Sequence, residues 1–311
     1  MGKAKKIQRP VRQRLTFRQG VKTYWPYYVM LAPFLLVFTL FMLIPVIAAV
    51  FISFTDYNML QTPDWVGFSN YARLFLEDTI FTKAAQNTFL FALITGPIGY
   101  LLCFLVAWFI NELGRRLRSI IMLIMYAPTL AGNIYYIWTY IFSGDSRGLM
   151  NNSLMQLGII QDPIYWLTDP KYNFGVVVVV ILWLSLGAGF LSMVAGFQAL
   201  DRTYYEAAAI DGVRNRWQEL YYVTLPQMGP QLLFSAIISI SGAFAVGYQN
   251  MALTGFPSSN YSTHTILLHI LDYGNVRFEM GYASAIAVVL FVIMLLTWFL
   301  INKVLSRFTD R

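Results

Sequence analysis

Six runs of apolar residues recur along this chain, at 28–52, 86–110, 119–142, 174–198, 230–252 and 281–302, and none of them contains Asp, Glu, Lys, Arg or His. A helix of about twenty such residues crosses a hydrocarbon core of about 30 Å. Inside that core every backbone N–H and C=O has to find its partner within the protein. Together these facts predict an all-α, polytopic membrane protein with six transmembrane helices. Charged residues make up 12% of the chain, against roughly 25% in an ordinary soluble domain. The first run follows a basic stretch, yet its apolar core is too long for a secretory signal peptide and no small-residue cleavage site follows it. It is expected to be a retained span.

The basic residues fall on one side. Lys3, Lys5, Lys6, Arg9, Arg12, Arg14, Arg18 and Lys22 precede the first run, Arg115, Arg116 and Arg118 occupy the second loop, and Arg202, Arg214 and Arg216 the fourth. Lys303, Arg307 and Arg311 follow the last run, which leaves only Arg73, Lys83, Arg147, Lys171 and Arg277 for the other side. By the positive-inside rule both termini of this multi-pass protein are expected in the cytoplasm. The net charge of +7 is then a topology signal and calls for no nucleic acid. The predicted organisation is a basic tail over 1–27, held near anionic lipid of the bilayer, a six-span domain over 28–305 with a long cytoplasmic loop at 199–228, and a short tail at 306–311.

What the spans lack narrows the function. A proton relay needs titratable groups within the membrane, and there are none, although backbone carbonyls remain able to hold sodium. No G-x-x-x-x-G-K-[ST] loop is present to cradle nucleotide phosphates. His264 and His269 sit in an outer loop without a second His or Cys pair, so they are expected as solvated or interfacial side chains and no metal site is predicted. Cys103, the single cysteine, falls in an apolar run and is expected to pack. Nothing resembles a catalytic triad or paired carboxylates, so no covalent chemistry is expected of this chain. Energy for uphill movement would come from a partner.

The most polar helix-forming stretch is EAAAIDGVRNRWQELYYVTLP, residues 206–226. Thr203 and Glu206 have the spacing of a capping box. Asp211-Gly212 offers a stop, since glycine accepts the left-handed position beyond a helix end. Asn215 can cap a second helix, on which Trp217, Leu220, Tyr221 and Thr224 recur at steps of three and four. Pro226 is expected to block direct extension into the next span. One reading is a capped helix with a membrane-adsorbed continuation. The other is a docking knob, in which Ala207 and Ala208 keep one face shallow, Glu206 supplies a charge and Gly212 fixes the exit direction.

Glu206-Ala207-Ala208, then Gly212, then Val223-Thr224-Leu225-Pro226 resemble the EAA motif of bacterial ABC importer permeases. The form of the motif, with the opening APFLLVFTLFMLIPVIAAVFISFTDYN, is similar to the first permease subunit of the carbohydrate branch, the maltose and glycerol-3-phosphate type. The resemblance covers roughly residues 26–306. It implies the type I importer architecture, and a coupling helix at Thr203, Glu206, Ala207, Ala208, Asp211 and Gly212 that docks into a cytoplasmic ATPase. It also implies a second homologous permease subunit, two ATPase subunits that bind ATP and Mg, and an extracytoplasmic solute-binding protein. No cofactor is implied on this chain itself. Ten residues separate Gly212 from Val223 where nine is usual, and Val213 stands where alanine is common, which puts the register of the second helix in question. The extra N-terminal spans and very large external loop of the enteric maltose subunit are missing.

Ser185, Gly189, Ser192 and Gly196 form a small-residue stripe on the fourth span, and Ser235, Ser239 and Gly242 one on the fifth. Such stripes let helices pack closely, and they equally suit the wall of a translocation path. Trp183 lies mid-span, where an aromatic face beside hydroxyls can hold a sugar ring; Tyr248, Gln249 and Asn250 can add polar groups or merely end a span. Prolines 33, 45, 97 and 128 interrupt the first three spans, and GPIG at 96–99 is expected to loosen or kink the second. Residues 68–78 and 263–274 read as amphipathic helices lying at the outer surface. A secondary transporter, sodium-coupled, and a polytopic sensor are the competing functions. The motif spacing and the lack of intramembrane charges count against the first, and the absence of a signalling domain after the last span against the second.

Overall fold

The computed structural model describes residues 17–309 apart from Asn133. Lys3, Lys5, Lys6, Arg9, Arg12 and Arg14, and positions 310 and 311, lie outside the described residues. Every regular element described is helical, and the one β contact is an isolated antiparallel bridge between Thr55 and Trp65.

The chain divides into two compact units. In the first, α1 (Phe17–Phe38) runs through a π turn (Thr39–Leu43) into α2 (Ile44–Ile52). The basic tail expected to reach residue 27 is therefore helical from Phe17. No described residue of α1, the π turn or α2 is buried.

The second unit begins with α3 (Ser69–Leu76) and α4 (Thr79–Asn111). The Asp78 carboxylate caps α4 by accepting from the Phe81 amide at 2.8 Å. The helix then continues without a break in its assignment through Gly96-Pro97. After it come α5 (Arg115–Leu130), α6 (Tyr135–Ile141), α7 (Leu149–Gln156), α8 (Asn173–Leu184) and α9 (Ala188–Ala199). Then follow α10 (Arg202–Ile210), α11 (Arg216–Glu219), a π turn (Leu220–Thr224), α12 (Leu225–Gln227), α13 (Gly229–Phe244), α14 (Tyr248–Thr254), α15 (Ile266–Leu271) and α16 (Met280–Thr309).

Four helical runs are long and apolar enough to cross a membrane, or six if each bent pair counts as one span. Three expected spans are broken. The third bends by 92° between α5 and α6, where Pro128 withholds an amide from the last turn. The fourth breaks at 185–187 and the fifth at 245–247, each at a glycine. The turn expected at Pro226 lies two residues later, at Met228, where the axis bends by 82°; Pro230 stands in the first turn of α13, where a missing amide costs nothing.

α4, α9 and α13 pack on one another, and three apolar clusters hold the helices of this unit together. Phe91, Val177, Val180 and Val246 form one, Cys103, Phe104, Phe190, Met193 and Met228 another, and Phe81, Phe244, Ile266, Tyr282 and Ile286 the third. The end carrying Arg115, Arg118, Arg202 and Arg216, which the charge asymmetry predicts to be cytoplasmic, is termed the inner end, and the opposite one the outer end. At the outer end α3 forms as expected. α15 does not lie on the surface, however, and His264 and His269 are 1% and 0% exposed rather than solvated.

Those histidines form a buried relay. His264 Nε2 lies 3.2 Å from His269 Nδ1, and His269 Nε2 lies 2.9 Å from Asp78 Oδ2, which also accepts from the Tyr282 hydroxyl at 2.8 Å. With Asp78 ionised, His269 donates to it through Nε2 and accepts from His264 through Nδ1, so both rings are neutral. Burial pushes the His264 imidazole down to about 4 and lowers His269 also, with Asp78 opposing. Burial alone would raise Asp78, but the Phe81 amide, Tyr282 hydroxyl and His269 hold it below the usual carboxylate value. Tyr273, Asp272, Arg73, Arg277 and Glu279 complete the charged surroundings.

Between pH 6.5 and about 4 the unfolded chain takes up a proton on His264 that the folded chain refuses. Stability is therefore fully present above pH 6.5 and is lost as pH falls toward 4, by up to about 3 kcal/mol. Thermal unfolding of the purified protein across that range should show the decline, and His264→Gln should reduce it to the part that His269 contributes.

Candidate functional site

Two regions bear the residues that the sequence singled out. The first is a cavity of about 230 Å³ between α4, α8, α9 and α13. Both helix breaks open onto it. At the first, the Ser185 hydroxyl donates to Leu182 O at 2.7 Å, Gly187 N donates to Ser185 O at 2.7 Å, and Cys103 Sγ donates to the same carbonyl at 3.1 Å. At the second, Val246 lines the cavity directly. Thr95, Gly99, Ser185, Gly189, Ser239 and Gln249 supply hydroxyls, an amide and open backbone, and no charged side chain lines the space.

Of the six residues expected along a path, Ser185, Ser239 and Gln249 meet here. Trp183 is turned away and packs edge-on against Trp138 at 5.1 Å. Tyr248 is 60% exposed beside Tyr135. Asn250 is fully buried, with Nδ2 donating to Thr263 O at 2.7 Å. The sequence reading missed Thr95, Gly99, Gly187 and Val246. The helix-breaking pairs Leu186-Gly187 and Val246-Gly247 were the available signal, since glycine costs about 1 kcal/mol within a helix.

The small-residue stripes divide by depth. At Gly196 an added Cβ would lie 2.9 Å from Gln231 Cγ and 3.0 Å from Met228 Cε, so this glycine exists for helix contact. At Gly189 the same atom would meet Ser235 and Ser239 at an ordinary 3.7 Å, while the Ser235 hydroxyl donates to Gly189 O at 2.7 Å. The inner end of the stripe packs and its outer end faces the cavity.

The second region is α10 with its exits. Thr203 does not cap the helix. Asp201 does, with extended backbone and a carboxylate accepting from Thr203 N at 3.0 Å. The distal end is a Schellman motif: Gly212 has φ +94°, its amide bonds to Ala209 O, and the Val213 amide reaches back to Ala208 O at 3.0 Å. Asn215 caps α11 through Gln218 N at 2.8 Å, as expected. The register of the second helix differs from expectation. The Leu225 amide bonds to Leu220 O, five residues back, and this π turn holds one residue more than an α turn would. Leu220, Val223 and Thr224 face inward, whereas Trp217 and Tyr221 are exposed.

No residue of α10 is buried. Glu206, Ala207, Asp211 and Gly212 are exposed and Ala208 is half-buried. Glu206 makes no ion pair among the described residues. Beside it opens a cleft of about 770 Å³ whose walls include Glu112, Arg115, Arg118, Arg202 and Arg216. The element is anchored from below. Tyr205 and Thr224 hydroxyls meet at 2.9 Å, Arg216 pairs with Glu112 at 3.0 Å, and Trp217 packs on Trp108 at 5.0 Å. Among the described residues, no cluster of three or more His, Cys, Asp or Glu is placed to hold a metal ion.

Residues 99–310 match the family described as binding-protein-dependent transport system inner membrane component. The chain is similar to a lactose transport system permease protein of Rhizobium radiobacter, 30% identical over 289 residues that cover 90% of this chain and 94% of that one. It is also similar to an arabinooligosaccharides transport system permease protein of Bacillus subtilis (strain 168), 29% identical over 283 residues, 90% and 88% of the two chains. Among solved structures, it resembles a chain of a bacterial ABC transporter involved in the import of the acidic polysaccharide alginate. There the identity is 25%, the coverage 94% and 99%, and the TM-score 0.77.

The two stripe glycines should respond oppositely to enlargement. Gly196→Val forces the Met228 and Gln231 contacts apart, an overpacking that costs about 1–3 kcal/mol, and should lower the melting temperature and yield of the purified protein. Gly189→Ala should leave both unchanged.

Proposed function

The chain belongs to the binding-protein-dependent transport system inner membrane components, and on that premise we propose that it is the membrane-spanning permease subunit of an ATP-driven carbohydrate importer. In this reading a second, homologous permease completes the translocation path. Two ATPase subunits bind ATP and Mg and dock on the inner face, and an extracytoplasmic solute-binding protein delivers substrate to the outer face. Both termini lie in the cytoplasm. The chain itself performs no covalent chemistry.

One observation carries the coupling role: a helix at the inner end with none of its residues buried, stopped by a Schellman motif and standing over a charged cleft. A helix that contributes no burial to its own chain gains its stability from caps and from whatever covers it. Two alanines leave room for a partner's side chains, and Glu206 offers an unpaired carboxylate beside them. Force applied to this knob passes through Tyr205–Thr224, Arg216–Glu112 and Trp217–Trp108 to the π turn and to α4, whose middle lines the cavity.

The carbohydrate assignment rests on the relatives' lactose and arabinooligosaccharides and on the chemistry of the lining. Hydroxyls, an amide and bare backbone groups, without charge, suit a neutral polyol that exchanges hydrogen bonds as it moves. No observation favours a secondary transporter or a sensor.

Two experiments test the reading. Gentle extraction through a C-terminal tag should recover a second permease and an ATPase; a chain that purifies alone and supports ion-driven uptake would refute it. Ala208→Arg blocks the shallow face. Gly212→Val forces a β-branched residue into a left-handed conformation that costs about 1–2 kcal/mol. Each should lower uptake about tenfold or more while membrane insertion stays normal and ATP hydrolysis persists. Normal uptake by both would remove α10 as the coupling element.

A further inference from the structure

Residues 258–269 lie outside every expected span, yet Thr263, His264, Thr265, Ile266, Leu268 and His269 are each no more than 2% exposed. The segment is wedged between two elements. On one side α4 holds it: Asn87 Nδ2 donates to Tyr261 O and His264 O at 2.9 and 2.8 Å, and Ile266 N donates to the Thr88 hydroxyl at 2.8 Å. On the other side α14 holds it through Asn250 to Thr263 O and a Thr254–Thr263 hydroxyl contact, each at 2.7 Å. Thr88 stands seven residues outward of the cavity-lining Thr95 on α4, about 10 Å along the helix, so the strap meets α4 outward of the cavity.

One hydrogen bond runs from the strap to a cavity-lining carbonyl. Thr265 Oγ1 donates to Val246 O at 2.8 Å, and Val246 is the cavity-lining residue of the break between α13 and α14. Its carbonyl points at no helical amide there, and a bare buried carbonyl is costly. Close contact sets the same spot: an added Cβ on Gly247 would fall 2.9 Å from Leu267. Thr265 also accepts from Leu268 N as the cap of α15, so one side chain fixes the start of α15 and the end of α13 together.

We propose that Thr265 is the positioning residue that closes the outer end of the cavity, by holding the helix break at Val246 beneath the strap. The proposal rests on the reading of that cavity as part of a translocation path. Thr265→Val preserves shape and removes the hydroxyl; the strap then keeps only the Leu267–Gly247 contact at the break, and the outer end opens more often. Thr265→Ser keeps the donor.

The test uses the full chain in intact cells, with a charged, membrane-impermeant thiol reagent added outside and two cysteines read in parallel. Ser239→Cys reports the cavity, and the native, buried Cys103 reports general loosening of the core. In Thr265→Val the cavity cysteine should react about tenfold faster, the change in an opening equilibrium expected from losing one buried hydrogen bond. Cys103 should be unchanged, and Thr265→Ser should behave as the parent chain. An unchanged rate at Ser239→Cys, or equal acceleration at both cysteines, would overturn the assignment. Labelling does not depend on what is carried, so a failed transport assay would not affect this result, nor this result the transport assay.

Discussion

A backbone amide or carbonyl left bare in hydrocarbon costs several kcal/mol, and the arrangement of this molecule follows from where it interrupts its helices. The breaks at 185–187 and 245–247 release carbonyls that an unbroken helix would have paired. The structure meets that cost with side chains borrowed from elsewhere: Cys103 for Ser185 O and Thr265 for Val246 O. The donors come from α4 and the start of α15, so satisfying the breaks fixes how those elements meet the broken spans. Both breaks face one cavity, which is where irregular backbone at membrane depth is tolerated.

At the inner end the logic is reversed. α10 buries nothing, and caps at Asp201 and Gly212 replace packing as the source of its definition. Helix and stop are therefore set by local chemistry, and the surface they present is free to be shaped for contact. The adjoining π turn adds a residue without unpairing the chain, and it turns Trp217 and Tyr221 outward while Leu220 and Val223 stay buried.

Much of this was legible in the sequence. Long apolar runs and the Asp211-Gly212 stop are local signals, and local signals survive without the fold. So did the Asn215 cap. Other features failed for identifiable reasons. Thr203 and Asp201 both offer an oxygen to α10, and spacing alone does not say which backbone is extended. Broken spans keep an apolar composition, so hydropathy reads through Gly187 and Gly247. His264 and His269 look like ordinary loop residues until Asp78, nearly two hundred positions away, is brought beside them. Trp183 packs on Trp138 rather than lining the cavity, and the sequence could not place it, since a span that breaks two residues later has no fixed periodicity to read.

α4 is the element that ties these parts into one device. Its 33 residues span about 50 Å. Asp78, Asn87 and Thr88 hold the outer strap, Thr95 and Gly99 line the cavity, and Trp108 and Glu112 meet the inner knob. That it stays helical through Gly96-Pro97 matters, because a loose joint there would decouple the ends. The inner attachment does not depend chiefly on charge. Arg216 and Glu112 are 63% and 45% exposed, and an exposed pair contributes less than about 1 kcal/mol. The Trp108–Trp217 contact and the burial of Leu220 hold the knob to the rod, and packed contacts of this kind transmit displacement with little give. In the proposed coupling role, movement of α10 reaches the same helix that anchors the strap, so that role places both ends of the cavity under the control of α4.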